Sequence, residues 1–105
     1  MLYIADGLRN HVKQLLAEYP DADELLVDVI ADGWLGVHQA EAACEFFGLD
    51  YDENDEWIWE KIDEAAEKEA EELNAELSDL PGYFCFGHWD GGGEYGLIFV
   101  REAAE

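Results

Sequence analysis

Residues 83–100 read YFCFGHWDGGGEYGLIFV and decide the class of the fold. Two runs rich in aromatic and apolar residues, 83–89 and 94–100, flank the turn-forming stretch Asp90-Gly91-Gly92-Gly93. This pattern predicts a β-hairpin, because Asp and Gly accept backbone angles that tight turns require and that bulkier residues disfavour. A lone hairpin is only marginally stable in water, so we expect it to pack against other elements.

The rest of the chain shows the periodicity of helices. Apolar residues recur at helical spacing in four segments, 6–19, 22–32, 37–47 and 54–79. The last segment is the longest, and Leu80-Pro81-Gly82 ends it, since proline cannot continue a helix. We therefore predict a single acidic α+β domain over residues 1–105. It has about four helices, the last one long, packed with a C-terminal antiparallel hairpin, and Tyr3-Ile4 is a candidate short third strand.

The charge of the chain is its second informative feature. Its 105 residues include 27 Asp and Glu but only 5 Lys and Arg, which gives a formal net charge of −22. Self-repulsion at this density opposes a compact state. The excess therefore indicates either a cationic partner or a medium salty enough to screen the repulsion. Because half of the residues are apolar and 13% are aromatic, we expect a folded domain rather than an acidic tail.

Acidic residues are densest in the last predicted helix and the segment before it. Residues 50–79 hold 14 acidic residues and two lysines, a local charge of −12. Four glutamates follow i, i+3 and i+4 spacing and are therefore aligned along one helix face. They are Glu60, Glu64, Glu67 and Glu71. The other predicted partner-binding residues flank this row or precede it: Asp52, Glu53, Asp55, Glu56, Asp63 and Glu72. The ordinary interpretation of one such helix is a solvated face, since Glu is a good helix former.

Motifs for catalysis or metal binding are incomplete. Three residues match the first ligand positions of an EF-hand loop, Asp50, Asp52 and Asn54. Position 12 of that loop must be a carboxylate and is Lys61. Cys85 and His88 are separated by an odd number of positions, so their side chains point to opposite faces of a regular strand. The only serine, Ser78, has no histidine close in sequence. We predict no metal, no cofactor and no enzymatic activity.

Several partner classes are disfavoured by composition. Five basic residues are too few to neutralise a phosphate backbone, so direct nucleic-acid binding is not expected. No run of 18 apolar residues is present, so no membrane contact is expected. The N-terminus lacks the basic and apolar regions of a signal peptide. We therefore expect the cytoplasm, that of the host cell if the chain is phage-encoded, and reduced thiols at Cys44 and Cys85.

The length, the charge and the row of glutamates resemble those of the small acidic inhibitor proteins of phages and mobile elements. That class includes DNA-mimicking anti-restriction proteins and several anti-CRISPR proteins. The resemblance implies a non-enzymatic inhibitor that binds the basic nucleic-acid-binding surface of a host defence protein, such as a CRISPR effector or a restriction enzyme. It assigns no residue a role beyond the acidic surface.

Two other functions fit the composition. The first is an ordinary acidic domain of a salt-loving organism, in which abundant Asp and Glu and scarce Lys are expected. The second is a small adaptor that binds a partner helix through an apolar face around Trp57 or Trp34.

Overall fold

A computed structural model describes residues 2–32, 36–89 and 93–102. The elements follow the order α1 (Ala5–Glu18), β1 (Glu24–Ala31), α2 (Gly36–Phe47), α3 (Ile58–Glu76), β2 (Gly82–His88) and β3 (Tyr95–Arg101). The fold is α+β, as predicted, and the described residues form three helices and one three-stranded antiparallel sheet. None of these helices combines the length and the apolar character needed to cross a membrane.

The sheet has the strand order β1-β3-β2, so β3 is central. The predicted hairpin is confirmed by the antiparallel pairing of β2 with β3, from Gly82 opposite Arg101 to His88 opposite Tyr95. The predicted turn residues Asp90-Gly91-Gly92 lie outside the described residues. On its other side β3 pairs with β1, which approaches closely at Gly96. A Cβ atom at this glycine would lie 2.1 Å from the carbonyl oxygen of Asp28.

The prediction of a helix over 22–32 is wrong, because these residues include β1. Two irregularities in its pairing with β3, between Leu26 and Asp28 and between Val29 and Ala31, interrupt the alternation of buried and exposed residues. Bulges of this kind add residues to one strand, so the apolar spacing resembles that of a helix. The third strand is therefore β1, and the prediction of a strand at Tyr3-Ile4 is also wrong.

The prediction of a long last helix over 54–79 is not matched. α3 begins at Ile58 and ends at Glu76, so it is shorter at both ends. Before it, the Ile58 N–H contacts the Asp55 carbonyl at 3.4 Å in a turn, and after it Leu77 leaves the helical region with φ −112° and ψ 36°. α2 agrees better with its predicted range of 37–47, and Gly48 follows it with φ +73°, as expected for a residue that ends a helix.

The core is divided into two clusters where the helices pack on the sheet. The first joins α1, Leu73 near the end of α3 and Leu77 just after it to the strands, through Leu8, Val12, Phe84, Leu97 and Phe99. The second joins α2 and the start of α3 to the sheet through Ala40, Ala43, Cys44, Ile58, Ile62 and Tyr95. Phe86 of β2 packs against both clusters and so connects them.

Side chains from the helices hydrogen-bond to both outer edges of the sheet. At β2, the amide of Asn74 accepts a hydrogen bond from the Phe84 N–H (2.6 Å) and donates one to the Phe84 carbonyl (3.0 Å). At β1, Nε2 of His11 lies 3.1 Å from the carbonyl oxygen of Val27. Unpaired strand edges invite pairing with other chains, and these contacts occupy part of each edge.

Candidate acidic interaction face

The helix α3 has an apolar buried face and an acidic exposed face. Its buried residues are Ile58, Ile62, Ala66, Glu69 and Leu73. Glu60, Glu64, Glu67 and Glu71, which we name the acidic row, are all exposed. Viewed along the helix axis, the two sets point in nearly opposite directions. The packing that anchors the helix therefore also directs the acidic row into solvent.

The spacing of carboxylates on this face approaches that of phosphates on nucleic acid. With a rise of 1.5 Å per residue, Glu60 and Glu71 lie about 16 Å apart along the helix axis. Asp63 is exposed beside the row, so the five residues present about one carboxylate per 4 Å of axis. Each strand of duplex DNA carries about one phosphate per 3.4 Å of axis. The face therefore has a linear charge density close to that of one DNA strand.

No basic residue in the described part of the chain forms an ion pair with the acidic row. The ion pairs among the described residues join Arg9 to Asp6 and Asp79, and Lys61 to Asp55. The side chain of Arg101 instead donates to the backbone carbonyls of Pro20 and Leu16. Lys61 and Lys68 lie on the same helix, but among the described residues neither forms an ion pair with the row.

The acidic loop before α3 contributes unequally to this face. Oδ2 of Asp55 lies 2.5 Å from Lys61 Nζ, and its Oδ1 accepts a hydrogen bond of 2.9 Å from the Trp57 N–H. The hydrogen bond from Lys61, followed by that from Trp57, lowers the pKa of Asp55. Asp55 therefore supports the start of the helix. Asp52 accepts a hydrogen bond from the Asn54 N–H at 2.9 Å.

Among the remaining predicted residues, Glu53 and Glu56 are exposed at the N-terminal end of α3. Asp63 and Glu72 lie on opposite sides of the helix. Asp63 lines a groove between α3 and β2, whereas Glu72 lines a separate depression with Leu2 and Lys68. The structure therefore brings Asp63 together with the acidic row and separates Glu72 from it.

The groove between α3 and β2 was not predicted from the sequence. Its volume is about 410 Å³, and its lining comprises Asp63, Ala66, Glu67, Ala70, Glu71 and Asn74 from α3 and residues 83–86 from β2. The apolar periodicity of the segment 54–79 predicts that Ala66 and Ala70 lie on its buried face. Ala66 is buried, but Ala70 is only half-buried and borders the groove. In the sequence, the groove is indicated only by the small residues Ala66 and Ala70 next to the acidic row.

Of the other candidate groups, Cys85 lines the groove beside this face, whereas Cys44 is buried in the core. The thiols of Cys44 and Cys85 are free, and burial raises the pKa of each. Trp57 is 62% exposed, whereas the Trp59 ring packs 5.6 Å from that of Tyr95. Trp34 lies outside the described residues. In the part of the chain that the structure describes, no group of three or more His, Cys, Asp or Glu is placed to hold a metal ion.

Comparison of the chain with protein-family models, curated proteins and solved structures gave no match. Its function is therefore inferred from the charge and geometry of the acidic face.

Proposed function

We propose that the protein is a non-enzymatic inhibitor that binds the basic nucleic-acid-binding surface of a host defence protein, a CRISPR effector or a restriction enzyme. The acidic row and Asp63 take the place of phosphates in that surface and exclude DNA. The observation that supports this proposal best is the exposure of Glu60, Glu64, Glu67 and Glu71 on a rigid helix without a paired cation among the described residues.

The energetics of such an interface favour many weak contacts over a few strong ones. Exposed ion pairs contribute about 0.2 to 1 kcal/mol each, so single substitutions in the acidic row have small effects. A basic cleft and a chain of charge −22 attract each other at long range, which makes association fast. The Debye length falls from about 10 Å at 0.1 M salt to about 3 Å at 1 M, so binding weakens steeply with salt.

The direct test reverses the four charges of the acidic row in one chain, as Glu60→Lys, Glu64→Lys, Glu67→Lys and Glu71→Lys. The matched control reverses four exposed acidic residues outside α3: Glu18, Asp21, Glu41 and Glu45. Each reversal changes the charge by two units, so both variants carry −14 instead of −22. Circular dichroism establishes that both variants remain folded.

The assay measures displacement of labelled duplex DNA from a panel of purified CRISPR effectors and restriction enzymes. The wild type inhibits DNA binding by at least one member, and the control variant retains most of this inhibition. Reversal of the row replaces four attractions of about 0.5 kcal/mol with repulsions, so inhibition falls by more than about 100-fold. Equal losses in both variants contradict recognition of this face, and a wild type that displaces DNA from no member overturns the proposal.

A second function is favoured by the exposed acidic residues elsewhere. Glu18 of α1 and Glu41 and Glu45 of α2 are also exposed, as expected for a domain adapted to high salt. Thermal melts at low and multimolar salt separate the two functions. A domain of a halophile is unfolded at 20 mM salt and folds only at molar concentrations, whereas an inhibitor that acts in ordinary cytoplasm is folded at both.

A further inference from the structure

The groove between α3 and β2 combines a negatively charged wall with an open strand edge. Asp63, Glu67 and Glu71 form the charged wall, and all three are exposed. Ala66 and Ala70 have no side-chain atoms beyond Cβ, which leaves space between the helix and the strand. The groove volume of about 410 Å³ lies within the range of about 300 to 1,000 Å³ that is typical of ligand sites.

The strand edge in this groove offers hydrogen-bonding groups of the backbone. The N–H and C=O of Phe84 bond to Asn74, so they point away from β3. In an antiparallel pair, residues two positions apart direct these groups to the same side. The N–H and C=O of Phe86 therefore also point away from β3, and no described residue outside the sheet forms a hydrogen bond with them.

We propose that this groove receives an extended, arginine-bearing segment of the basic partner, which adds to the edge of β2. The inference rests on the proposed function and identifies how the partner is held. The segment's backbone exchanges hydrogen bonds with Phe86, as in other cases of strand addition. Its arginines face Asp63, Glu67 and Glu71. The ring of Tyr83, which is 43% exposed, offers a stacking surface for a guanidinium.

A variant that fills the groove without changing charge tests this inference. Ala70→Leu extends a side chain into the groove, and Ala75→Leu makes the same change at an exposed position of α3 outside it. The probe is a fluorescein-labelled peptide of six arginines alternating with six valines, with binding followed by anisotropy at 150 mM salt. Because two backbone hydrogen bonds are lost, Ala70→Leu weakens binding about tenfold or more, whereas Ala75→Leu changes it less than about twofold.

A second measurement uses the wild type and does not depend on a variant that folds. Amide hydrogen exchange of Phe86 is followed by NMR with and without the peptide. Strand addition slows this exchange about tenfold when about 90% of the protein is bound, because exchange then proceeds from the free fraction. Amides of β1, at the opposite edge of the sheet, keep their rates.

The inference is overturned if Ala70→Leu binds the peptide as tightly as the wild type, if Phe86 exchange is unchanged, or if the wild type binds no peptide. None of these results affects the proposed function, which depends on reversal of the acidic row in the DNA displacement assay. If row reversal leaves inhibition intact, the proposed function fails first, and the inference fails with it.

Discussion

Replacing Asn74 with alanine tests whether its side chain stabilises β2 by forming the hydrogen bonds that a neighbouring strand would form. The amide makes two hydrogen bonds to Phe84, with distances of 2.6 and 3.0 Å, and Phe84 is 2% exposed. Each such bond contributes about 1 kcal/mol net, and an unsatisfied buried partner costs about 1 to 3 kcal/mol. Because the groove admits water to this edge, we expect the cost of the unsatisfied groups to be at the lower end of its range. The free energy of unfolding then falls by about 2 to 3 kcal/mol.

The assay is urea unfolding followed by tryptophan fluorescence. With a slope of about 1 to 2 kcal/mol/M for a chain of this size, the midpoint falls by about 1 to 3 M without a change in slope. The matched control is Asn10→Ala in α1, because Asn10 is exposed and makes no hydrogen bond through its side chain to a described residue. This control measures only the stabilisation that follows from the higher helix propensity of Ala compared with Asn, about 0.5 kcal/mol. If Asn74→Ala is no less stable than Asn10→Ala, the edge contact is not a source of stability and the reasoning is refuted.

Two further substitutions probe polar groups of the core and of the α3 start. Among the residues that the structure describes, none hydrogen-bonds to the buried hydroxyl of Tyr95, so Tyr95→Phe raises the free energy of unfolding by about 1 kcal/mol. A loss of stability in urea contradicts this. The pKa of Asp55 is lowered from its ordinary value of 3.8, so its contribution is present above that value and lost as the pH falls below it. Asp55→Asn is therefore less stable than the wild type at pH 7, and the gap in melting temperature narrows as the pH falls below 3.8. A gap that is constant with pH contradicts the ion pair.

The hairpin could be predicted from the sequence because each of its parts follows a local rule. Aromatic and β-branched residues favour strands, and the Asp-Gly run between them favours a turn. β1 follows no such rule, because its two irregular pairings hide its alternation. One signal was nevertheless present: residues 95–100 are almost uniformly apolar. A strand buried on both faces is central in its sheet, and a central strand needs a partner on each side.

For the candidate site, exposure of the acidic row could be predicted, whereas the roles of its neighbours could not. Glu60 and Glu67 are exposed because helical periodicity places them on the side opposite the buried Ile62. This periodicity is a property of the helix alone. The ion pair of Asp55 with Lys61 depends on the conformation of the turn before α3, which apolar spacing does not specify. The groove beside Ala70 depends on where α3 lies on the sheet. It joins residues far apart in the chain, and local spacing contains no information about such contacts.

The central position of β3 also determines when the sheet can form during synthesis. Ala31 pairs with Tyr95 and Glu24 with Val100, so a ribosome must add 64 to 76 residues before β1 meets its neighbour. At about 5 to 20 residues per second, this interval lasts about 3 to 15 s. During it, the apolar segment of β1 has no strand to pair with, and the negative charge of the nascent chain opposes its association with other chains of the same sign.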